Sequence, residues 1–250
     1  MSDSTTQPAA HHIREHRSVL AAAEKRTLIW IAARLPMRIN SDHLSVLGLL
    51  SMLVAGASFA LFRLNPWAAA VGVIACLAAN WFGDSLDGTV ARLRGHQRPR
   101  YGFYVDHVID LGGSTVLLAG LACGGLMHPL LAAAVLTAYL LVSAESYLAT
   151  HAAGVFRMSF LGFGPTELRI ILAIGAVKAA ASPIVSFGAY GPYRLFDVGG
   201  LVAVAGLAIA FVAAAIRNTH ALYLAEPLPR ATTPVAEQYS PRAAAVARAS

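Results

Sequence analysis

The stretch VGGLVAVAGLAIAFVAAAI, residues 198–216, carries no charged side chain and decides the class of fold. It is long enough to cross a lipid bilayer, because a spanning helix needs about 20 apolar residues. Similar apolar runs precede it, and together they give six predicted spans: residues 44–62, 67–86, 105–126, 130–149, 167–182 and 198–216. The runs are too long, and alternate too little between polar and apolar residues, to be strands of a membrane barrel. The sequence therefore predicts an all-α, polytopic membrane protein with six transmembrane helices.

The composition of the whole chain favours the same class. Of its 250 residues, 57% are hydrophobic and 13% are charged, and the mean hydropathy is +0.60. A soluble domain carries about 25% charged residues. These values exclude an ordinary cytosolic globule, a disordered chain and a disulfide-rich scaffold.

The two ends of the chain differ from the apolar middle. Residues 1–14 and 221–250 are polar, contain several Pro and Ala residues and lack periodicity. Chains of such composition bury too little apolar surface to fold. We therefore predict that both ends are disordered and that one membrane domain covers residues 15–220.

An amphipathic segment precedes the first predicted span. Over residues 15–37, helical spacing places Leu28, Ile31 and Leu35 on one face, with basic residues on the others. Such a helix can lie in the plane of the lipid headgroups. The pattern predicts an interfacial helix, and the alternative is a soluble helix that packs on the core.

Basic residues are distributed unevenly between the two predicted sides of the membrane. Of the 19 Lys and Arg residues, only Arg63, Lys178 and Arg194 fall on the side opposite the termini. Because basic residues accumulate on the cytoplasmic side, this asymmetry places the termini in the cytoplasm. It also accounts for the net charge of +6 without a nucleic-acid partner.

Four aspartates lie where the second predicted span ends and the third begins. Asp84 and Asp87 are three residues apart and Asp106 and Asp110 are four apart, so each pair shares one helix face. Two antiparallel neighbouring helices would thus present their carboxylates to each other. Unneutralised carboxylates are costly in a membrane, and a donor set of oxygen alone suits Mg²⁺ or Mn²⁺. The pattern predicts a site for two divalent ions that acts on phosphate groups.

Small residues surround these aspartates. Gly88, Ala91 and Gly102 would let a bulky ligand approach the backbone, and Arg92 can bind a phosphate through its forked guanidinium. The alternative for the small residues is tight packing between membrane helices.

The complete string resembles a known signature. Residues 84–92 read DSLDGTVAR, nine residues follow, and residues 102–110 read GFYVDHVID. This is similar to the pattern D-x2-D-G-x2-A-R, a spacer of eight or nine, then G-x3-D-x3-D, of the CDP-alcohol phosphatidyltransferase family. All eight fixed positions are present. The six predicted spans and the amphipathic helix extend the resemblance over roughly residues 15–220.

The resemblance implies a membrane enzyme of phospholipid biosynthesis. Members of this family transfer a substituted phosphoryl group from a CDP-linked alcohol to a hydroxyl acceptor and release CMP. It further implies an integral protein of a bacterial-type inner membrane with a cytoplasmic active site, often a homodimer. We expect a CDP-alcohol donor, an alcohol acceptor and the lipid bilayer as partners.

The resemblance also assigns roles to the motif residues. Two Mg²⁺ or Mn²⁺ ions would be bound by Asp84, Asp87, Asp106 and Asp110. The acceptor hydroxyl would lose its proton to Asp110, the last aspartate. The CDP pocket would be lined by Gly88, Ala91, Arg92 and Gly102.

Two further positions are candidates for contact with the nucleotide. Family members carry a short polar segment at the start of the first span, commonly Pro-Asn followed by Thr. Here residues 40–45 read NSDHLS, so Asp42 and Ser45 are the matching candidates. The alternative is that Ser41 or Asp42 only caps the helix.

The acceptor site is assigned to residues around the fifth predicted span: Arg157, Thr166, Glu167 and Arg169. The Thr-Glu pair and His107 are similar to those of choline and ethanolamine phosphotransferases, which implies a CDP-amino-alcohol donor and a diacylglycerol-like acceptor. Arg157 and Arg169 instead resemble the basic residues of relatives that use inositol phosphate. The alternative for Thr166 and Glu167 is a helix N-terminus, where an acid is favourable.

Other classes of protein also place acids in a membrane. Aspartate-rich prenyltransferases lack the D-G-x2-A-R continuation. A cation transporter would carry carboxylates near the bilayer midplane and internal repeats, whereas these acids lie near one surface. A family member without catalytic activity is the third alternative.

Overall fold

The apolar runs form long helices in the computed structural model, which describes residues 13–15, 21–153, 155–157, 164–187, 190–226 and 228. The helices are α1 (Ala21–Ala32), α2 (Ser41–Ala60), α3 (Pro66–Leu93), α4 (Pro99–Cys123), α5 (Pro129–Ala153), α6 (Pro165–Ala181) and α7 (Leu195–Ala225). The strands are β1 (Ile13–Glu15), β2 (Val155–Arg157), β3 (Ile184–Phe187) and β4 (Tyr190–Arg194). β1 pairs in parallel with β2, and β3 pairs antiparallel with β4.

Five of the described helices are long and apolar enough to cross a membrane, namely α2, α3, α4, α5 and α7. Many of their large apolar side chains are exposed, as expected for surfaces that contact lipid. The fifth predicted span is also helical, but α6 has only 17 residues, at the lower limit of the roughly 17–25 that span a bilayer. The polytopic all-α fold is confirmed, and the sixth crossing stays a prediction.

The helices extend beyond the bounds predicted from hydropathy. α3 continues to Leu93 and α4 begins at Pro99, because hydropathy marks where the apolar residues end while a helix continues through polar residues. The predicted disordered tail from residue 221 is wrong at its start, since α7 continues to Ala225. It ends just before Pro227, which disfavours helical backbone at the preceding residue.

The N-terminal predictions also need correction. Ile13–Glu15 form a strand that pairs with Val155–Arg157, whereas disorder to residue 14 and helix from residue 15 were expected. A strand of three residues has no periodicity of its own, and its partner is remote in sequence. The amphipathic helix begins at Ala21 in the described part of the chain.

One face of α1 packs on the core. Leu28 and Ala32 are buried in a cluster with Leu44, Leu86 and Val90, which come from α2 and α3. On the other side, side chains such as Trp30 are exposed. The helix therefore packs on the core, as the alternative of a soluble helix predicted. Its location at the membrane interface stays a prediction.

The centre of the bundle is α2, which packs along both α3 and α4. Glycine makes these close approaches possible: a Cβ on Gly83 would lie 2.5 Å from the Leu44 carbonyl oxygen, and one on Gly120 would lie 2.1 Å from that of Gly56. α3 in turn packs on α6, and α4 packs on α5. These contacts set the relative positions of the helices that carry the aspartates.

Arg94 fastens the connection after α3 to the segment between α1 and α2. Its Nη1 donates to the Ile39 carbonyl oxygen at 2.5 Å, and its Nη2 donates to those of Leu35 and Pro36 at 2.9 and 3.2 Å. All three acceptors belong to residues 35–39, which adopt no helix. The Arg94 guanidinium therefore holds residues 35–39 against the end of α3.

Arg94→Ala should lower the free energy of unfolding by about 1.5–3 kcal/mol, the range for hydrogen bonds that involve a charged group. Thermal unfolding of the full chain in detergent measures the change. Arg100→Ala is the matched control, because it removes an exposed arginine from the same region. Equal unfolding temperatures for the two variants would contradict the role of Arg94.

Candidate active site

The structure places the four predicted aspartates on two helices that both pack along α2. Asp84 and Asp87 lie in the second half of α3, Asp106 and Asp110 lie in the first half of α4, and all four are partly buried. That these four carboxylates form one metal site stays a prediction.

The two helices that carry these residues are not close neighbours, contrary to the expectation from the sequence. Both α3 and α4 are described throughout, and neither packs closely on the other. Instead α2 packs along both, because the glycines of all three helices allow α2 to approach each of them. The two aspartate pairs are therefore linked through α2, which packs along both of the helices that carry them.

Asp84 forms an ion pair across the bundle. Arg169 of α6 donates through Nη2 to Asp84 Oδ2 at 2.5 Å and through Nε to Asn80 Oδ1 at 2.8 Å. Asn80 also donates through Nδ2 to the Gly48 carbonyl oxygen at 3.1 Å. The arginine and aspartate side chains are only 15% and 24% exposed. One polar network thus joins α2, α3 and α6.

Asp87 has partners on α2 and on its own helix. Ser45 Oγ donates to Asp87 Oδ2 at 2.7 Å, and the Gly88 backbone N–H donates to Asp87 Oδ1. Ser45, predicted as a contact of the nucleotide, therefore lies at the carboxylate site. It orients one of the predicted metal ligands.

The donor chemistry of the site suits a hard divalent cation, because its four carboxylates supply only oxygen ligands. Among the described residues, no three acidic, histidine or cysteine side chains lie close enough together to hold one ion. Instead Asp84 is bound by Arg169 and Asp87 by Ser45. The residues fit Mg²⁺ or Mn²⁺ by type and charge.

The motif glycines do not serve helix packing. No described atom lies within 4 Å of a Cβ placed on Gly102, and a Cβ placed on Gly88 would meet only the Arg92 guanidinium, 3.2 Å away. That guanidinium donates to Thr89 Oγ1 at 3.1 Å, and Ala91 is half-buried beside it. The tight-packing alternative applies to Gly83 and Gly120 instead, so the motif glycines leave room for a ligand.

The start of α2 is capped by Asn40, not by Ser41 or Asp42. Asn40 Oδ1 accepts from the His43 backbone N–H at 2.9 Å, and the Asn40 N–H donates to His43 Nδ1 at 3.3 Å. Asp42 pairs with Arg98, and both side chains are exposed enough that the pair adds little stability. Asp42 therefore lies near the start of α4.

The predicted acceptor residues have different contacts in the structure. Arg169 lies on Asp84, whereas Glu167 Oε2 accepts from the Gly164 backbone N–H at 3.0 Å and so caps α6. Thr166 lies in the same first turn. Arg157 ends β2, and its side chain lies outside the described part of the structure. The capping alternative holds for Glu167.

Sequence reasoning missed two sets of residues at this site. Asn80 precedes Asp84 by one helical turn inside an apolar run. This spacing places the two side chains on the same helix face, so the sequence could have identified Asn80 as part of the site. The aromatic rings of Phe103 and Tyr147 also pack on His107, which the sequence had singled out and whose Nδ1 lies 3.8 Å from Asp106 Oδ2. Tyr147 belongs to α5, and no local pattern connects it to α4.

The comparison with protein families agrees with the motif. The family model for CDP-alcohol phosphatidyltransferase matches residues 39–214, a range that begins before α2 and includes all eight motif positions. A search of curated proteins found no match. Members of this family are membrane phosphotransferases of phospholipid biosynthesis that transfer a phosphoalcohol group from a CDP-alcohol to an alcohol acceptor. The chain therefore belongs to the CDP-alcohol phosphatidyltransferase family, as an integral membrane enzyme.

Proposed function

We propose that the carboxylates of α3 and α4 form the catalytic site, and that it transfers a phosphatidyl or phospho-alcohol group to a hydroxyl acceptor and releases CMP. The observation that carries this proposal is that Asp84, Asp87, Asp106 and Asp110 all lie partly buried on α3 and α4, the two helices that pack along α2. These are the four acidic positions of the complete motif. Open space at Gly102 beside them provides room for the donor.

Two divalent ions, Mg²⁺ or Mn²⁺, would be held by Asp84, Asp87, Asp106 and Asp110. When bound, they would neutralise the diphosphate of the donor and stabilise the departing CMP. Ser45 keeps its hydroxyl on Asp87, so it orients a ligand. In this proposal Ser45 acts through Asp87, not on the nucleotide directly.

Asp110 is the general base of the proposed reaction. It accepts the proton of the acceptor hydroxyl while that oxygen attacks the phosphorus of the substituted phosphoryl group. A new P–O bond forms to the acceptor, the P–O bond to CMP breaks, and CMP leaves with the bonding electron pair.

The donor nucleotide is bound by the small residues of the motif and by Arg92. The nucleotide can approach the helix backbone because the side chains are small or absent at Gly88, Ala91 and Gly102. Arg92 is exposed at the end of α3, where its guanidinium can bind a phosphate in two places. Asp42 lies close enough to the start of α4 to contact the same ligand through its partner Arg98.

The orientation and assembly belong to the same proposal. All but three of the 19 Lys and Arg residues lie on the predicted side of the termini and the motif, which supports a cytoplasmic active site in a bacterial-type inner membrane. The homodimer rests on the family resemblance alone.

The choice of alcohols separates two versions of the reaction. Thr166 and His107 support a CDP-amino-alcohol donor with a diacylglycerol-like acceptor, although Glu167 is engaged in capping α6. Arg157 and Arg169 support an acceptor that carries a phosphate. A screen of CDP-diacylglycerol, CDP-choline and CDP-ethanolamine against these acceptors, read by mass analysis of the lipid product, distinguishes the versions.

Purified protein in detergent should release CMP from a CDP-alcohol when Mg²⁺ or Mn²⁺ and an acceptor are present, and EDTA should stop the release. Asp84→Asn should lower the rate, because it removes one of the four negative charges. Full CMP release by both Asp84→Asn and Asp110→Asn would show that the site is assigned wrongly. A cation transporter would move ions in vesicles and release no CMP.

Gly102→Val should leave the fold intact and weaken donor binding. No described atom lies near the added side chain, so we expect the KM for the donor to rise roughly tenfold, equal to about 1.4 kcal/mol of binding. Steady-state kinetics and thermal unfolding of the same preparation measure both effects. Gly112→Val is the control, since it also points into open space on α4, and an equal rise in KM for both variants would contradict a pocket at Gly102.

A further inference from the structure

A guanidinium is built into the carboxylate site from a helix outside the motif. Arg169 lies in the second turn of α6 and donates to Asp84 and to Asn80 at 2.5 and 2.8 Å. Its side chain is only 15% exposed. The residue therefore links α6 to the aspartate pair of α3.

Asn80 helps to fix the position of the Arg169 guanidinium. The Asn80 side chain is buried, donates to the Gly48 carbonyl oxygen at 3.1 Å and accepts from Arg169 Nε. Both ends of the amide are thus used, and its orientation follows from these two bonds. Since Nε is held there, the terminal nitrogens of Arg169 are aimed at Asp84.

The charges of the site explain why such a cation is needed. Four carboxylates in a partly buried site repel one another, and a partly buried anion without a partner is strongly destabilising. Arg169 supplies one positive charge to this group in the absence of ions. A divalent cation supplies two, so it offsets more of the total negative charge of the four carboxylates than the guanidinium does.

We propose that Arg169 is an internal counter-cation that occupies Asp84 until a divalent ion replaces it, and thereby sets the affinity of the site for the ion. Arg169 and the ion compete for the same carboxylate oxygens, and Asn80 holds the guanidinium in position for this exchange. Arg169 is a positioning residue in this scheme. The inference rests on the proposed function, because it uses the same four carboxylates as ion ligands.

The test is the affinity of the full chain in detergent for Mn²⁺, measured from the free-ion EPR signal. Arg169→Gln should bind Mn²⁺ roughly tenfold more tightly than the original protein, about 1.4 kcal/mol of binding free energy, because it removes the competing positive charge. A purely structural role would predict weaker binding. Unchanged or weaker binding by Arg169→Gln would therefore overturn the proposal.

Lys178→Gln provides the matched control, because it removes one positive charge from an exposed position on the same helix. We expect its Mn²⁺ affinity to be unchanged. If it increases as much as that of Arg169→Gln, the effect is one of net charge and the proposal is wrong. If Arg169→Gln does not fold, Arg169→Lys replaces it in the test. The lysine ammonium cannot donate to Asn80 and Asp84 as one planar fork, so Mn²⁺ should again bind more tightly. Equal or weaker binding of Mn²⁺ would refute the exchange.

A double-mutant cycle tests the ion pair without any metal. In EDTA, Arg169→Gln and Asp84→Asn should each lower the unfolding temperature, and the double variant should lose less than the sum of the two. Additive losses would contradict the pair. If the unsubstituted protein neither binds Mn²⁺ nor releases CMP, both the proposed function and the proposed exchange fail. If it binds Mn²⁺ and Arg169→Gln leaves that affinity unchanged, only the exchange is refuted.

Discussion

Asp110→Asn should lower the turnover number for CMP release by roughly 10²–10⁴-fold, the range for loss of a general base. Asparagine has the same shape but cannot accept the proton of the acceptor hydroxyl. The variant should keep measurable donor binding, because Gly88, Arg92 and Gly102 are unchanged. Single-turnover CMP release and equilibrium binding of the CDP-alcohol separate these two effects.

The control for this variant is Asp197→Asn. Asp197 lies at the start of α7 and accepts from the His128 backbone N–H at 2.6 Å, a bond that the amide oxygen of asparagine can also accept. Its turnover should equal that of the original protein. Equal turnover by the two variants would show that Asp110 moves no proton in the rate-limiting step.

Gly120→Ala should destabilise the protein by about 1–3 kcal/mol, as overpacking does in a tightly packed core. The added Cβ would lie 2.1 Å from the Gly56 carbonyl oxygen, and because both are backbone-linked atoms, neither can rotate away. α4 must therefore move away from α2, taking Asp106 and Asp110 with it. Thermal unfolding and CMP release by the remaining folded protein measure the two consequences.

Gly112→Ala separates this steric effect from the helix propensity of alanine. Gly112 is on the same helix, and no described atom lies within 4 Å of the added Cβ. Alanine should stabilise it by up to about 1 kcal/mol, since glycine is the weaker helix former. Loss of stability in Gly112→Ala equal to that in Gly120→Ala would contradict close packing of α2 and α4 at Gly120.

The glycines show where prediction from the sequence stops. Gly83, Gly102 and Gly120 are the same residue type in similar helices, yet two of them allow helices to touch and the third lies beside open space. No local pattern separates these cases, because the difference lies in what another helix places opposite. The sequence therefore left ligand access and helix packing as alternatives, and the structure assigned each to different glycines.

Arg169 shows the same limit for the site. The sequence placed it with the acceptor residues because, with Arg157, it resembles the basic residues of relatives that use inositol phosphate. Its contact with Asp84, 85 residues away in sequence, depends on how α6 packs against α3. Asp84 and Asp87, in contrast, were correctly placed on one face, because the helical repeat acts over a few residues.

The sequence by itself determined the all-α membrane fold, the family and the spacing of its four aspartates along two helices. These properties depend on apolar composition and on the 3.6-residue helical repeat, both of which are local. Only the tertiary structure decided that α2 lies between α3 and α4 and that Arg169 is bound to Asp84. Such contacts join segments that are far apart in the chain, so they follow from the packing of whole helices and not from any one stretch of residues.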